Sequence, residues 1–227
     1  PRLNQYDLIV SHGMQSGIVI ALWRKIFKTK CNHVIFDIGS FASGSESGIL
    51  LKLMQFASKS IDGLIYHTSW QKLYYHNFFP WIEKKAEFIP FGVDFDFFNH
   101  KEIGFTTDKY ILCVGQNQCD WRTVASAFNK IDTDYKLRLI GGFDEQLECV
   151  KGIEQYPYMP IDELIEQIEG AYFCVLPIND VKFSFGQMRF LQQQCMGKCV
   201  LAARARSILD YAIDEKEAIF YDPGNIS

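Results

Sequence analysis

The chain has 227 residues, of which 48% are hydrophobic and 22% are charged, and its formal net charge is −4. This composition is typical of a folded domain with a substantial core, and a negative charge without a basic block argues against nucleic-acid binding. Seven cysteines without CxxC or Cys/His clusters favour reduced thiols in the cytoplasm over a disulfide or zinc framework. No apolar run reaches the roughly 18 residues of a membrane span.

Short apolar runs alternate with amphipathic stretches along almost the whole chain. Runs this short, separated by helical patterns, are typical of a parallel sheet that is buried on both faces. The predicted strands are YDLIV (6–10), HVIF (33–36), GLIY (63–66), FIP (88–90), YILCVG (110–115), LRLIGG (137–142), YFCVLP (172–177), CVLAA (199–203) and AIFY (218–221). The predicted fold class is therefore α/β.

The helical pattern is clearest in PIDELIEQIEGA (160–171), where apolar residues recur at i, i+3, i+4 and i+7 from Ile161. Shorter helices are predicted at TVASAF (123–128) and SILDYA (207–212). A helix is also expected at WQKLYYHNF (70–78), with Thr68 or Ser69 as its N-cap residue.

The segment 91–110 contains glycines and charges without a clear period, and a new strand follows it. We interpret residues 1–98 and 110–227 as two doubly wound units that are joined by a linker at 99–109. The first unit has only about four predicted strands, fewer than a complete doubly wound domain has. The chain also opens without methionine, so we expect a fragment that lacks the front of its first domain and the end of its second.

The turn FSFGQM places Gly186 between a strand and a helix. A glycine lets backbone N–H groups approach a ligand, and a helix N-terminus favours a phosphate. Gly115 and Arg122 follow the first strand of the same unit, and ligands of open α/β sheets bind where the strand order reverses. These residues are therefore predicted to face one ligand. The alternatives are that Gly186 only makes the connection and that Arg122 is a solvated surface charge.

Dinucleotide and P-loop patterns are absent from the sequence. LIGGF has adjacent glycines at Gly141 and Gly142, but without the spacing that cradles a pyrophosphate. A dehydrogenase or a P-loop enzyme is therefore disfavoured.

In the first unit, His12 and Asp37 each follow a predicted strand. Both side chains are expected at one edge of the sheet, where a general base or a sugar-binding group would be useful. His12 as a local cap or a buried imidazole is the alternative. The aromatic stretch 74–81 is either core or a contact to lipid or acceptor, and core is favoured. Residues 192–194 are three glutamines that suit a helix surface.

Six segments follow one another along the chain in a recognisable order. They are FIPFGVDFDFF (88–98), YILCVGQNQCDWRTVASAF (110–128), LRLIGG (137–142), YPYMPIDELIEQIEGAYFCVLP (156–177), FSFGQMRFLQQQCMGKCVLAA (183–203) and YDPGN (221–225). In this order they resemble segments of family 4 (GT-B) retaining glycosyltransferases. The resemblance covers nearly the whole chain.

The resemblance implies two Rossmann-like domains with a nucleoside diphosphate sugar in the cleft, and sugar transfer with retention of configuration. It implies no metal and no cofactor other than this donor substrate. The first domain, with His12 and Asp37, would hold a glycan, a lipid-linked sugar or a small acceptor. The protein would then work in the cytoplasm, with peripheral contact to the inner face of the membrane.

The resemblance also assigns residues to the donor. Backbone amides and basic side chains would neutralise the leaving diphosphate, Tyr158 and Met159 would lie beside the base, and Gln192 would occupy the position of a family glutamate. The complete set of predicted donor contacts is Gly115, Gln116, Arg122, Gly141, Tyr158, Met159, Ser184, Gly186 and Gln187.

The sequence departs from the family pattern where charge is needed. Gln116 and Cys119 stand where Arg or Lys is common, and no acid follows Asp180 before the turn. Gln192 can hydrogen-bond a hydroxyl but cannot accept a proton. A catalytically degenerate relative that serves in binding or assembly is therefore the main alternative. A nucleotide-sugar epimerase of similar shape is a weaker one.

Overall fold

The chain divides into two α/β units. The first comprises Pro1–Phe91 and Val181–Phe185, and the second comprises Gly92–Asp180 and Gly186–Ser227. Both sheets are entirely parallel, with four and six strands. The computed structural model describes residues 3–13, 15–41, 45–98, 108–115 and 117–226.

The first unit has the strand order β1-β2-β3-β4. Its core lies between the sheet and the helices and includes the fully buried Ile35, Met54 and Ile82. Its elements are β1 (Leu8–His12), α1 (Ser16–Phe27), β2 (Asn32–Asp37), α2 (Gly48–Ser58), β3 (Gly63–Tyr66), α3 (Ser69–Phe78) and β4 (Ala86–Phe88).

Helix α3 begins where the sequence predicts. Thr68 accepts a hydrogen bond from the N–H of Gln71, and the Gln71 side chain bonds back to the N-cap backbone, which completes a capping box. The aromatic stretch that follows is core: Tyr74, Tyr75 and Phe79 are at most 3% exposed. A lipid contact through these rings is therefore wrong.

The second unit has the strand order β10-β9-β8-β5-β6-β7. Strand β5, the first strand of this unit, lies between β6 and β8, so the strand order reverses between β5 and β8. Its elements are α4 (Phe95–Phe98), β5 (Tyr110–Val114), α5 (Trp121–Phe128), β6 (Lys136–Ile140), β7 (Ile153–Tyr156), α6 (Ile161–Gly170), β8 (Cys174–Leu176), α7 (Gln187–Cys195), β9 (Val200–Ala203) and β10 (Ile219–Tyr221).

The predicted strands are confirmed with small shifts, but one predicted helix does not form and one strand was not predicted. Residues 207–212 do not form a helix; they form turns in which the Ile208 N–H bonds to the Ala205 carbonyl. Six residues are too few to nucleate a helix without support from packing. Strand β7 was not predicted, because IEQY contains few apolar residues and lies half-buried at the sheet edge.

Candidate functional site

The loops after β5 and β8 are joined at the point where the strand order reverses. Cys119 and Ile178 form an isolated antiparallel bridge, and the Asp120 N–H donates to the Pro177 carbonyl at 2.7 Å. The carboxyl ends of these two strands therefore form one connected platform. Ligands of open α/β sheets bind at such a reversal point.

Helix α7 begins at this platform with a glycine that cannot be replaced without strain. Gly186 is the N-cap residue with φ +87°, and a Cβ there would lie 2.9 Å from Ile178 Cδ1 and 3.5 Å from Ile208 Cδ1. In the part of the chain that the structure describes, no side chain caps the helix. The N–H groups of its first turn, which have no partner within the helix, therefore have no side-chain acceptor and suit an anion.

The first turn of α7 also holds a buried amide. Gln187 is only 2% exposed, and its Nε2 has no hydrogen-bond partner among the described residues. A buried polar atom without a partner is costly and calls for a ligand or a water. The sequence-predicted pair Gly186 and Gln187 is therefore brought together at a site that has free donor capacity.

Arg189 is a cation at this site that the sequence analysis missed. Its half-buried guanidinium donates through Nη1 to Gln192 Oε1 at 2.9 Å, and Tyr158 lies near it. Burial lowers the pKa of Arg189, and among the described residues no carboxylate lies within ion-pair distance of it. The i, i+3 spacing of Arg189 and Gln192 was the only sequence signal for this contact.

The three glutamines of α7 differ in their surroundings. Gln192 is occupied by Arg189, and Gln194 donates to the Glu217 carbonyl at 3.1 Å. Gln193 is completely buried, so its description as a plain surface residue is wrong. Of the three side chains, only that of Gln192 hydrogen-bonds a side chain in the first turn of the helix.

Two predicted donor glycines already have protein partners. The Gly115 N–H donates to the Ile140 carbonyl at 2.8 Å, and the Gly141 N–H donates to the Tyr156 carbonyl at 3.0 Å. Both have positive φ values, +107° and +136°, so they shape their loops. Gln116, the neighbouring prediction, lies outside the described residues.

Arg122 lines an open cavity of about 560 Å³ beside the ends of β5 and β6. Its Nε donates to Asp144 Oδ2 at 2.8 Å, and its side chain is 61% exposed. Asp120 and Glu145 also line this cavity, so its acidic lining suits a diphosphate poorly. Burial raises the pKa of the Cys119 thiol to about 12, which keeps it neutral.

The acid that precedes the turn of α7 is engaged as well. Asp180 Oδ1 accepts from the Arg206 N–H at 2.9 Å and from its Nε at 3.0 Å, and Oδ2 accepts from its Nη2 at 2.7 Å. This bidentate geometry fixes both side chains. Asp180 therefore braces the loops after β8 and β9.

In the first unit, Asp37 is a fully engaged carboxylate at the end of β2. It is 3% exposed and accepts the N–H groups of Gly39 at 2.9 Å and Ser40 at 2.6 Å. Gln71 Nε2 donates to it at 3.2 Å, and the Tyr75 hydroxyl donates as well. This arrangement fixes the loop after β2 and leaves the carboxylate little capacity for a ligand.

His12 lies at the end of the neighbouring strand β1 and is exposed, with its ring 6.3 Å from that of Phe36. Ser184 belongs to the segment Val181–Phe185, which groups with the first unit. It is 6% exposed, and its Oγ has no partner among the described residues. Met159 is half-buried in the second unit, next to the exposed Tyr158.

The sequence matches no protein-family model and no curated protein. Solved structures do match. HepE from Anabaena, solved with UDP-glucose, superposes with a TM-score of 0.80 at 13% identity over 99% of this chain and 67% of its own. The lipopolysaccharide outer core galactosyltransferase WaaB has a TM-score of 0.67 at 12% identity over 99% and 65% of the chains. This chain has the GT-B glycosyltransferase fold.

A third GT-B neighbour, an α,α-trehalose-phosphate synthase from Burkholderia vietnamiensis, has a TM-score of 0.71 at 12% identity. The match covers 62% of the synthase chain and 97% of this chain. The chain thus spans about two thirds of the length of these GT-B proteins. At such low identity, the likeness shows the fold alone.

Proposed function

We propose that this GT-B protein is a glycosyltransferase that moves a sugar from a nucleoside diphosphate sugar to a glycan, lipid-linked or small acceptor, with retention of configuration. One observation carries the proposal. The N-terminus of α7, the buried Gln187 amide and the Arg189 cation meet where the strand order of the second sheet reverses. Within the described part of the chain, no side chain caps this helix and no carboxylate pairs with Arg189. The membership of family 4 is part of this proposal.

In the proposed complex, the N–H groups at Gly186 and Gln187 and the guanidinium of Arg189 stabilise the charge that develops on the leaving diphosphate. No metal or cofactor takes part. Tyr158 and Met159 contact the base, and Gln192, held by Arg189, hydrogen-bonds a hydroxyl of the donor. That HepE was solved with UDP-glucose supports a uridine nucleotide as the first donor to test.

We assign the acceptor to the first unit. His12 is the exposed group at the end of β1 and is the candidate to contact the reacting hydroxyl. Asp37 has the role of a positioning residue, because its carboxylate already binds two backbone N–H groups and two side chains. The cytoplasm is the proposed location.

The test is a titration of the protein with UDP-glucose and GDP-mannose, followed by product analysis with and without acceptors. We expect Arg189→Met to weaken donor binding by roughly 10- to 100-fold, because it removes charge-assisted hydrogen bonds to the phosphates. Arg122→Met is the matched control and should bind almost normally, since Asp144 already neutralises Arg122. Absence of binding at millimolar donor would exclude the proposal.

A second candidate, a catalytically degenerate relative that serves in binding or assembly, is favoured by the same geometry. Asp37 and Asp180 are both fully engaged, and glutamine at position 192 cannot balance charge or take a proton. Gln192→Glu combined with Cys119→Arg separates the two. An active parent that is weakened by these changes excludes the degenerate relative, whereas an inert parent that stays inert supports it.

A further inference from the structure

The open cavity of about 560 Å³ in the second unit is not used by the proposed donor site. Its volume falls in the range of roughly 300 to 1,000 Å³ that small-molecule sites occupy. It lies between the start of α5 and the loop after β6, whereas the donor is assigned to the start of α7. We call this space the α5 cavity. Its lining includes Trp121, Arg122, Phe143, Asp144, Glu145 and Gln146.

Two aromatic side chains of the α5 cavity suit a ligand that has both an apolar face and hydroxyl groups. Phe143 is 61% exposed, so its ring is accessible to the C–H groups of a ligand. Trp121 is only 4% exposed, and its Nε1 has no hydrogen-bond partner among the described residues. A buried indole N–H usually has an acceptor. A ligand hydroxyl, or a water that the ligand holds, can supply one.

The polar side chains of the α5 cavity form a fixed pair and two groups with spare capacity. Asp144 accepts from Arg122 Nε at 2.8 Å and from the Gln146 N–H at 3.0 Å, and its backbone N–H donates to Gln155 Oε1 at 2.7 Å. The side chains of Glu145 and Gln146 are exposed and make no hydrogen bond to any described residue. A carboxylate accepts, and an amide both donates and accepts, which together match adjacent hydroxyls on a sugar ring.

Other classes of ligand fit the α5 cavity less well. Three carboxylates and one guanidinium line it, so a phosphate would meet a negative potential. A metal ion is disfavoured, because the described residues contain no group of three His, Cys, Asp or Glu that could hold one. A wholly apolar ligand would remove water from Glu145 and Gln146 without replacing its hydrogen bonds.

We propose that the α5 cavity binds a neutral sugar, either free or at the end of a longer glycan, separately from the nucleotide-sugar donor. Phe143 packs against the C–H face of the pyranose ring, and Glu145 and Gln146 hydrogen-bond its hydroxyl groups. The proposal does not rest on transferase activity, because the residues that would bind this sugar are not those that would bind the donor.

Saturation-transfer difference NMR on the full chain tests the proposal. The probes are glucose, galactose, mannose and maltotriose, each with and without millimolar UDP. We expect ring protons of at least one probe to receive magnetisation from the protein, with a dissociation constant in the millimolar range. UDP should leave this signal unchanged. Tighter binding of maltotriose than of glucose would identify the end of a glycan, and equal binding a free sugar.

Two pairs of variants locate the sugar. Phe143→Ala should weaken binding roughly fivefold, because it removes the ring against which the sugar packs. Tyr172→Ala is its control, since Tyr172 is an aromatic residue of the second unit with nearly the same exposure, 62%. Glu145→Ala should weaken binding about tenfold, and Glu145→Gln should lose less because an amide still binds hydroxyls. Glu148→Ala removes an exposed carboxylate that does not line the cavity and should change nothing.

Three outcomes would overturn the proposal. They are no magnetisation transfer to any probe, displacement of the sugar by UDP, and equal binding by the parent and both alanine variants, Phe143→Ala and Glu145→Ala. Displacement by UDP would assign the sugar to the donor site. Sugar binding that persists in a protein unable to bind UDP would instead reject the donor site alone, so the two proposals fail separately. Circular dichroism of each variant separates lost binding from lost folding.

Discussion

At the scale of single residues, the role of Asp37 follows from the hydrogen-bond donors around its carboxylate. Two backbone N–H groups, Gln71 and Tyr75 surround a carboxylate that is 3% exposed. Burial and the neighbouring Asp37 charge raise the pKa of Tyr75 well above its usual value, so Tyr75 stays a donor. Removing the acceptor leaves these groups buried without a partner.

Asp37→Ala should therefore lower the free energy of unfolding by about 3 kcal/mol. Chemical denaturation of the variant measures this loss. Asp162→Ala, at an exposed position in the first turn of α6, is the control and should cost only a few tenths of a kcal/mol. An Asp37→Ala protein of full stability without turnover would instead give Asp37 a direct catalytic role.

The buried ring of His33 leads us to predict that the first unit loses folding stability in acid. Its ring is fully buried, with Nε2 2.8 Å from Ser11 Oγ, and burial lowers its pKa from 6.5 to about 4, with the nearby charge of Arg24 adding to the effect. Below pH 6.5 the His33 ring binds a proton in the unfolded chain but stays neutral in the folded chain. Stability is therefore lost as pH falls from 6.5 to 4, by about 3 kcal/mol in total.

Urea unfolding at pH 7.0 and 4.5 checks this prediction. His33→Gln should show a smaller loss between the two pH values than the parent, because it lacks the titrating ring. The loss of unfolding free energy in the parent minus the loss in the variant isolates the contribution of His33 from that of the carboxylates, which titrate in the same pH range. An equal loss in both proteins would show that His33 does not control the acid response.

At the scale of elements, the start of α7 depends on one glycine. An L residue at φ +87° costs roughly 1–2 kcal/mol in strain, and a Cβ at Gly186 would also press on Ile178 at 2.9 Å. Gly186→Ala should therefore destabilise the second unit and weaken nucleotide binding together. Calorimetry and the UDP-glucose titration measure the two effects.

Gly224 offers a matched control, because it has φ +80° and open space where its Cβ would lie. Gly224→Ala carries the backbone strain without the clash. It should cost less than Gly186→Ala by about 1–3 kcal/mol, the usual penalty of overpacking. Equal losses in the two variants would show that Ile178 yields freely and that the contact does not matter.

Sequence reasoning at this scale succeeded where the signal is local. The cap of α3 at Thr68 or Ser69, the apolar spacing of α6 and the turn at Gly186 were all predicted, because each depends on residues within one helical turn. Sequence reasoning failed for strand β7 and for residues 207–212. Whether a short polar strand or a six-residue helix forms depends on neighbours that are remote in the chain.

At the scale of the whole molecule, only the second of the two described sheets reverses its strand order. A nucleotide should therefore bind the second unit even when no acceptor is present. Hydrogen exchange with and without UDP should show slower exchange in α7 and in the loops after β5 and β8. Exchange in β1 to β4 should be unchanged. Protection confined to the first unit would contradict the assignment of the donor site.

The sequence alone determined the α/β class, most strands and the glycine turn before α7. Buried strands and glycine turns leave patterns within a few residues. The GT-B resemblance rested on the order of these segments, and the fold is confirmed by structural neighbours.

Tertiary structure alone decided how the polar groups are paired. Arg122 is neutralised by Asp144, whereas Arg189 donates to Gln192 and has no carboxylate partner among the described residues. It also decided that the aromatic stretch of α3 faces the core. These outcomes depend on partners that lie far apart in the sequence and meet only when the sheet and its helices pack, so no local pattern of residues encodes them.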